Sequence, residues 1–207
     1  MTAQAHRPEL TEPAAAHGFR LRLLDGLAAS IGERGYRATT VADIVRHART
    51  SKRTFYSQFS SKEHSFEELL RVEVQLMAGD IRAAVDPTAD WRQQIRQAVE
   101  SYAGHIEART AVTLSWIREF AYLGEHARPV QRQGLELLTD LLIELSGSPG
   151  FQRANVPPLT PPLAMILVGG LRELVAIAVE DGTSPREIIE PAVDAAIALL
   201  GPRVPGQ

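Results

Sequence analysis

Apolar residues recur at three- and four-residue spacing along almost the whole chain, and no segment sustains the period-two alternation of a half-buried strand. This periodicity restricts the fold to helices packed on helices, so an all-α architecture is expected. The 207 residues, 44% of them hydrophobic, are enough for a small domain fused to a larger one, each with its own core.

Helices are expected over residues 18–34, with Gly35 as a left-handed stop, and in a short segment after Thr40 in which Val41, Ile44 and Val45 are apolar. Thr40 and Asp43 have the spacing of a capping box, and so do Ser60 and Glu63. Residues 48–51 break the pattern, 51–59 form a third short helix, and a fourth runs to about residue 85, before Asp86-Pro87. Further helices are expected over 89–108, 110–123, 128–145 and 162–181, with 147–162 a long Pro/Gly-rich loop. Ser184, Pro185 and Glu187 open a last helix by a capping box, and Pro191 is expected to bend or interrupt it.

The net charge of −3 hides a strong asymmetry. Between Gly18 and Lys62, nine Lys/Arg face only Asp25, Glu33 and Asp43, whereas from Glu63 onward 12 Arg face 20 acidic residues. A basic head on an acidic body is the footprint of one end that neutralises phosphates. Enzyme chemistry has little to build on: there is no cysteine, no pair of histidines at metal spacing, no Gly-rich phosphate loop and no nucleophile elbow. Neither a metal nor a cofactor is expected. No apolar run of about 18 residues lacks charge, so no membrane span is expected. Residues 1–17 lack the layout of a secretory signal and read as a disordered arm, and the absence of cysteine fits a cytoplasmic protein.

Two short helices joined by a tight turn, with a longer one packed across them, make a helix-turn-helix. In Ser51-Lys52-Arg53-Thr54-Phe55-Tyr56-Ser57-Gln58-Phe59, the two phenylalanines are four apart and share an anchoring face. Lys52, Arg53, Thr54, Tyr56 and Ser57 remain for the groove side. There the cations can donate to guanine and the hydroxyls suit phosphate oxygens.

The combined pattern Arg20, Leu24, Gly35-Tyr36, Thr39-Thr40-Val41, Ile44, Thr54-Phe55-Tyr56, Phe59 and Lys62-Glu63 resembles the DNA-binding domain of the tetracycline-repressor (TetR) family, over about residues 18–70. The resemblance implies a homodimer in which three N-terminal helices bind double-stranded operator DNA and a divergent helical body binds a small ligand. It implies an arm at 1–17, a DNA-binding domain at 18–62 and an effector and dimerisation domain at 63–203. By the same likeness Thr40, Thr54, Tyr56 and Lys62 contact the phosphate backbone, and Lys52, Arg53 and Ser57 occupy positions that more often read bases. Where the family usually has Ala-Gly-apolar-Ser, this chain has Ala48-Arg49-Thr50-Ser51. Either the turn geometry differs, or Arg49 tolerates a positive φ and gains a phosphate contact.

For the body, Tyr102, His105, Trp116, Phe120 and Met165 are candidate effector contacts, with Trp91 and Tyr122 as further large side chains, and the mix suits a lipophilic or aromatic ligand. The segment 162–181 is apolar nearly all round and needs a partner surface. With the last helix it is the expected dimer interface, through Leu167, Gly170, Leu171, Leu174, Val193 and Ile197. Arg172 and Glu173 interrupt that surface and either pair across it or face the cavity. The function read from the sequence is a ligand-released repressor on a palindromic operator. The rival is a helical ligand-binding dimer with weak or no DNA binding, supported only by Arg49.

Overall fold

A computed structural model of the chain describes residues 14–119 and 127–201, and these contain helices and no strand. The helices are α1 (Ala14–Ala38), α2 (Val41–His47), α3 (Lys52–Gln58), α4 (Lys62–Ala84), α5 (Trp91–Ala108), α6 (Thr110–Glu119), α7 (Ala127–Ser146), α8 (Pro149–Arg153), α9 (Pro161–Glu180) and α10 (Ile189–Leu200). A 3-10 turn, Pro185–Ile188, leads into α10.

The expected helix boundaries trace to local chemistry. Gly35 takes a φ of 77° and interrupts α1 where a left-handed stop was expected. Thr40 and Asp43 form both halves of a capping box on α2, and Ser51 caps α3 by accepting from the Thr54 amide.

Three expectations need correction. The α4 cap is Ser61, whose hydroxyl accepts from the His64 amide, not Ser60 with Glu63. The Ser60 amide instead donates to His64 Nδ1, so the imidazole shifts the helix start by one residue. The 147–162 loop contains α8, which Pro149 opens and Asn155 closes at a φ of 53°. Pro191 does not break α10: it lies in the first turn, where its missing N–H would have had no intrahelical partner. The Ser184/Glu187 capping box is present, but on the 3-10 turn.

Two cores follow. Leu23, Leu24, Leu27 and Ile31 of α1 close with Ile44, Phe55 and Phe59 into a head core. The body core joins α5, α7, α9 and α10 around Trp91, Ile95, Leu141 and Val175. Helix α4 is rooted in both: Phe66, Leu69 and Leu70 belong to the head, Met77, Ala78 and Ile81 to the body. Its 23 residues span about 35 Å and join the two cores. Val112 of α6 and Val130 of α7 also sit in the head core, a second mechanical link from body to head.

Candidate nucleic-acid interface and effector cavities

Helix α3 is held by aromatic packing on one side only. Phe55 and Phe59 are buried with ring centroids 5.6 Å apart. The Arg20 guanidinium lies 4.8 Å from the centre of the Phe59 ring, donates to the Gln58 carbonyl at 3.2 Å and pairs with Glu68 at 3.0 Å. One arginine thus ties α1, the end of α3 and α4 together. Helices α1 and α2 meet at Gly26, where an added Cβ would lie 2.6 Å from the Ile44 carbonyl oxygen and 3.0 Å from the Ala48 nitrogen. Only glycine permits this approach.

The turn between α2 and α3 has the backbone geometry of the second Arg49 alternative; the phosphate contact is a separate matter. Arg49 has a φ of 49°. Its amide donates to the Arg46 carbonyl at 3.3 Å and the Thr50 amide to the Val45 carbonyl at 2.9 Å. These are the two bonds of a Schellman motif, with an arginine at the position that favours glycine. The turn therefore closes in the glycine-type geometry, and the arginine carries the strain.

The outward face divides into committed and uncommitted groups. Thr40 Oγ1 donates to Asp43 at 2.6 Å and accepts from the Asp43 amide at 3.3 Å. The Thr40 hydroxyl, then the Thr40 amide at 3.0 Å, donates to the Asp43 carboxylate and holds it below the usual aspartate range. Ser51 and Thr54 hydroxyls meet at 3.0 Å, and Ser57 Oγ donates to the Thr54 carbonyl at 2.7 Å. These hydroxyls serve the helix ends first. Arg49, Lys52, Arg53 and Tyr56 are exposed, Tyr56 to 58%, and their polar ends have no hydrogen-bond or ion-pair partner among the described residues. Lys62 is different again. Its ammonium donates to the Tyr36 and Thr39 carbonyls at 3.1 and 3.0 Å and lies 4.2 Å from the centre of the Tyr36 ring. Its first role is to clamp the end of α1 to α4.

Residues 23–69 match the sequence model of the bacterial regulatory proteins of the tetR family. The head is therefore similar to the DNA-binding domain of the TetR family. It is 36% identical over 75 residues to the transcriptional activator FasR of Mycolicibacterium smegmatis, covering 36% of this chain and 34% of FasR. It is 31% identical over 121 residues to the transcriptional repressor KstR2 of Rhodococcus jostii, covering 58% of this chain and 59% of KstR2. The matches thus span about a third to three fifths of these relatives' length. The fold extends further: the Bacillus subtilis regulator FadR, solved in complex with stearoyl-CoA, superposes with a TM-score of 0.66 at 16% identity, covering 87% of this chain and 97% of that one.

Within the body the expected effector contacts separate. A cavity of about 420 Å³ is lined by Tyr102, Trp116 and Met165, three of the candidate effector contacts, and by Arg128, Arg132 and Arg172. His105 does not line it. Its ring lies 3.4 Å from Glu73 and 2.9 Å from Asp80. The Glu73 carboxylate, then that of Asp80, raises its pKa against the opposing effect of burial. Glu73 is buried and also receives Arg109 at 2.7 Å, so the three bind α4 to α5. Trp91 is buried in the core against Phe151. Phe120 and Tyr122 lie outside the described residues.

A second cavity, about 250 Å³, is lined almost wholly by apolar side chains of α4, α5, α7, α9 and α10. Leu167, Gly170, Leu171 and Leu174, expected at the dimer interface, are among them. Val193 must be removed from that interface: it is 2% exposed, turned into the protomer's own core, and Ile197 is half-buried against the same core. The side chains of these helices that do face outward are Ile166 at 61% exposure, with Leu174, Ile177 and Leu199. Helix α9 is long and apolar enough to cross a membrane by length and composition, but it carries Arg172 and Glu173 and packs on the body core through Ala164 and Val175.

The arginines of the cavity had no signal in helical periodicity, because they come from α7 and α9, remote in sequence. Arg128 and Arg132 are four apart and share an exposed face, and only the tertiary fold sets that face at the rim of the cavity.

Proposed function

We propose that this protein is a ligand-released transcriptional repressor that binds a palindromic operator as a homodimer. The observation that carries the proposal is the set of uncommitted donors on one short, anchored helix and its turn: Arg49, Lys52, Arg53 and Tyr56. Lys52 and Arg53, on the first turn of α3, read base edges in the major groove, and Arg49 and the Tyr56 hydroxyl reach phosphates. Thr40, Ser51, Thr54 and Ser57 contribute mainly by holding the ends of α2 and α3, and Lys62 by fixing the start of α4 against α1.

The outward apolar side chains of α9 and α10 support burial against a second copy, which places two heads on successive turns of the duplex. A lipophilic effector in the body favours one arrangement of α4 and α6 over the other. Operator affinity then falls by the ligand's differential affinity for the two states.

Titration of the ligand-free protein into a fluorescent duplex carrying the DNA upstream of its own gene tests the proposal. Binding that weakens log-linearly with salt and is lost in Lys52→Ala/Arg53→Ala supports it. Binding indifferent to both refutes it.

A further inference from the structure

We infer that His105, Glu73, Asp80 and Arg109 form a proton-operated latch between body and head, so that operator affinity follows pH through the charge on one imidazole. The inference rests on the regulator reading above and names a signal for it besides the ligand. Glu73 lies on α4 between Leu70 of the head core and Met77 of the body core. Asp80 is seven residues further on, two turns along the same face. His105 is in the last turn of α5, and Arg109, four residues on, is its C-cap. Helix α6 starts at the next residue and carries Val112 into the head core. The cluster therefore ties the middle of α4 to the corner from which α6 enters the head.

Both ring nitrogens of His105 face carboxylate oxygens: Nε2 lies 3.4 Å from Glu73 Oε2 and Nδ1 lies 2.9 Å from Asp80 Oδ2. A neutral imidazole has one N–H and one lone pair, so either tautomer turns a lone pair toward a carboxylate. Only the imidazolium donates to both. The Glu73 carboxylate decides the balance, because its side chain is 7% exposed, against 60% for Asp80. Its Oε1 accepts from Arg109 at 2.7 Å, whereas its buried Oε2 has no hydrogen bond among the described residues. The Nε2 proton is the donor that this oxygen lacks, and a small closure makes the bond.

The other charges packed around α5 act elsewhere. Arg186 of the 3-10 turn pairs with Glu107 at 2.7 Å, and Glu190 of α10 pairs with Arg96 at 2.6 Å, where Asp194 also acts. Arg153 of α8 donates to the Thr88 carbonyl, and the charge of Arg172 on α9 acts on Tyr102. Glu73, then Asp80, raises the His105 pKa against burial, so the imidazolium persists above the range of a free histidine. Below that folded value the latch is shut. Helix α4 and the α5–α6 corner move as one body, and the two heads of a dimer keep the one separation that an operator requires. As pH rises through it, Nε2 loses its proton, its lone pair meets Glu73 Oε2, and α4 is freed from α5 between the two cores. The heads then sample more separations, and operator affinity falls with the fraction that fits. By linkage, operator DNA raises the His105 pKa.

The His105 ring is titrated by NMR, and operator affinity is read by anisotropy on the duplex carrying the DNA upstream of the gene. Both run from about pH 5.5 to about pH 9 at constant ionic strength. Wild-type affinity should fall by about 5- to 10-fold across the ring's own titration. His105→Gln should remove that fall, leaving only what His47 and His64 of the head contribute. His105→Lys, charged throughout, should keep the low-pH affinity to about pH 9, a result that a purely structural imidazole does not give. Glu73→Gln should lower the midpoint of the ring titration, and Asp80→Asn should lower it less. The affinity profile should shift with the ring in both, and Asp80→Asn, at an exposed carboxylate, leaves the core untouched. A ring that titrates at or below the midpoint of a free histidine overturns the latch and leaves the regulator standing. So does an operator profile that is the same in wild type, His105→Gln and His105→Lys. No operator binding at any pH overturns the regulator, and this inference with it.

Discussion

If Arg49 reaches a phosphate as proposed, the stability of the head and its affinity for DNA are set against each other there, and substitution separates them. A non-glycine residue in the left-handed region costs about 1–2 kcal/mol, and Arg49 is held there at a φ of 49°. Its side chain is exposed and makes no hydrogen bond or ion pair among the described residues, so truncating it leaves no protein group unpaired. Glycine relieves the strain but returns about 0.4–1 kcal/mol through the greater freedom of the unfolded chain. Arg49→Gly should therefore stabilise the protein by about 0.5–1 kcal/mol, a rise of about 1–4 °C in Tm. Arg49→Ala keeps the strain and should leave stability nearly unchanged. Both variants lack the charge, so both should bind operator more weakly and show a slope of log affinity on log salt reduced by about 0.9 for each phosphate that Arg49 neutralises in the wild type. Thermal melts and anisotropy titrations at several salt concentrations read both quantities. A Tm lowered in Arg49→Gly would refute the strained turn. A salt slope unchanged in both would refute the phosphate contact.

Other substitutions address the parts that surround the turn. Gly26→Ala puts a methyl group against the Ile44 carbonyl and should cost about 1–3 kcal/mol in urea unfolding, with weaker operator binding; unchanged stability would contradict the close approach of α1 and α2. Lys62→Met removes two bonds to backbone carbonyls of a half-buried ammonium and should cost about 1–2 kcal/mol. Its salt slope should stay near the wild-type value, whereas a fall of about 0.9 per half-site would return the lysine to the phosphates. His105 has a raised pKa in the folded state, so its contribution is fully present below its ordinary value near about 6.5 and is lost as pH rises through the folded value. The stability gap between wild type and His105→Gln should thus be larger at about pH 5.5 than at about pH 9, and a gap growing with pH would exclude the ion pair with Glu73.

The head was the more legible part of the sequence because its determinants are local. The Phe55/Phe59 spacing, the Thr40/Asp43 box and Gly35 each act within a few residues, and each took its expected place. Arg49 stayed open because a left-handed conformation at a non-glycine residue depends on how α2 and α3 pack, not on the turn sequence alone. The cap of α4 was misread by one residue because Ser60 and Ser61 both suit the role, and the choice falls to the His64 ring. In the body, α10 is apolar on several sides, so periodicity could not tell that Val193 faces its own core. The cavities were least visible. Their walls join α4, α5, α7, α9 and α10 across more than a hundred residues, and His105 found two carboxylates on α4 instead of a ligand.

Selection of bound duplexes from a random pool tests the central claim, that α3 reads DNA, most directly. The account predicts enrichment of two-fold related half-sites whose centres lie about one helical turn apart or a multiple of it. It also predicts that Lys52→Ala/Arg53→Ala loses base preference within each half-site. A pool that shows no enriched sequence with the wild-type protein, or the same enriched sequence with the variant, would contradict it.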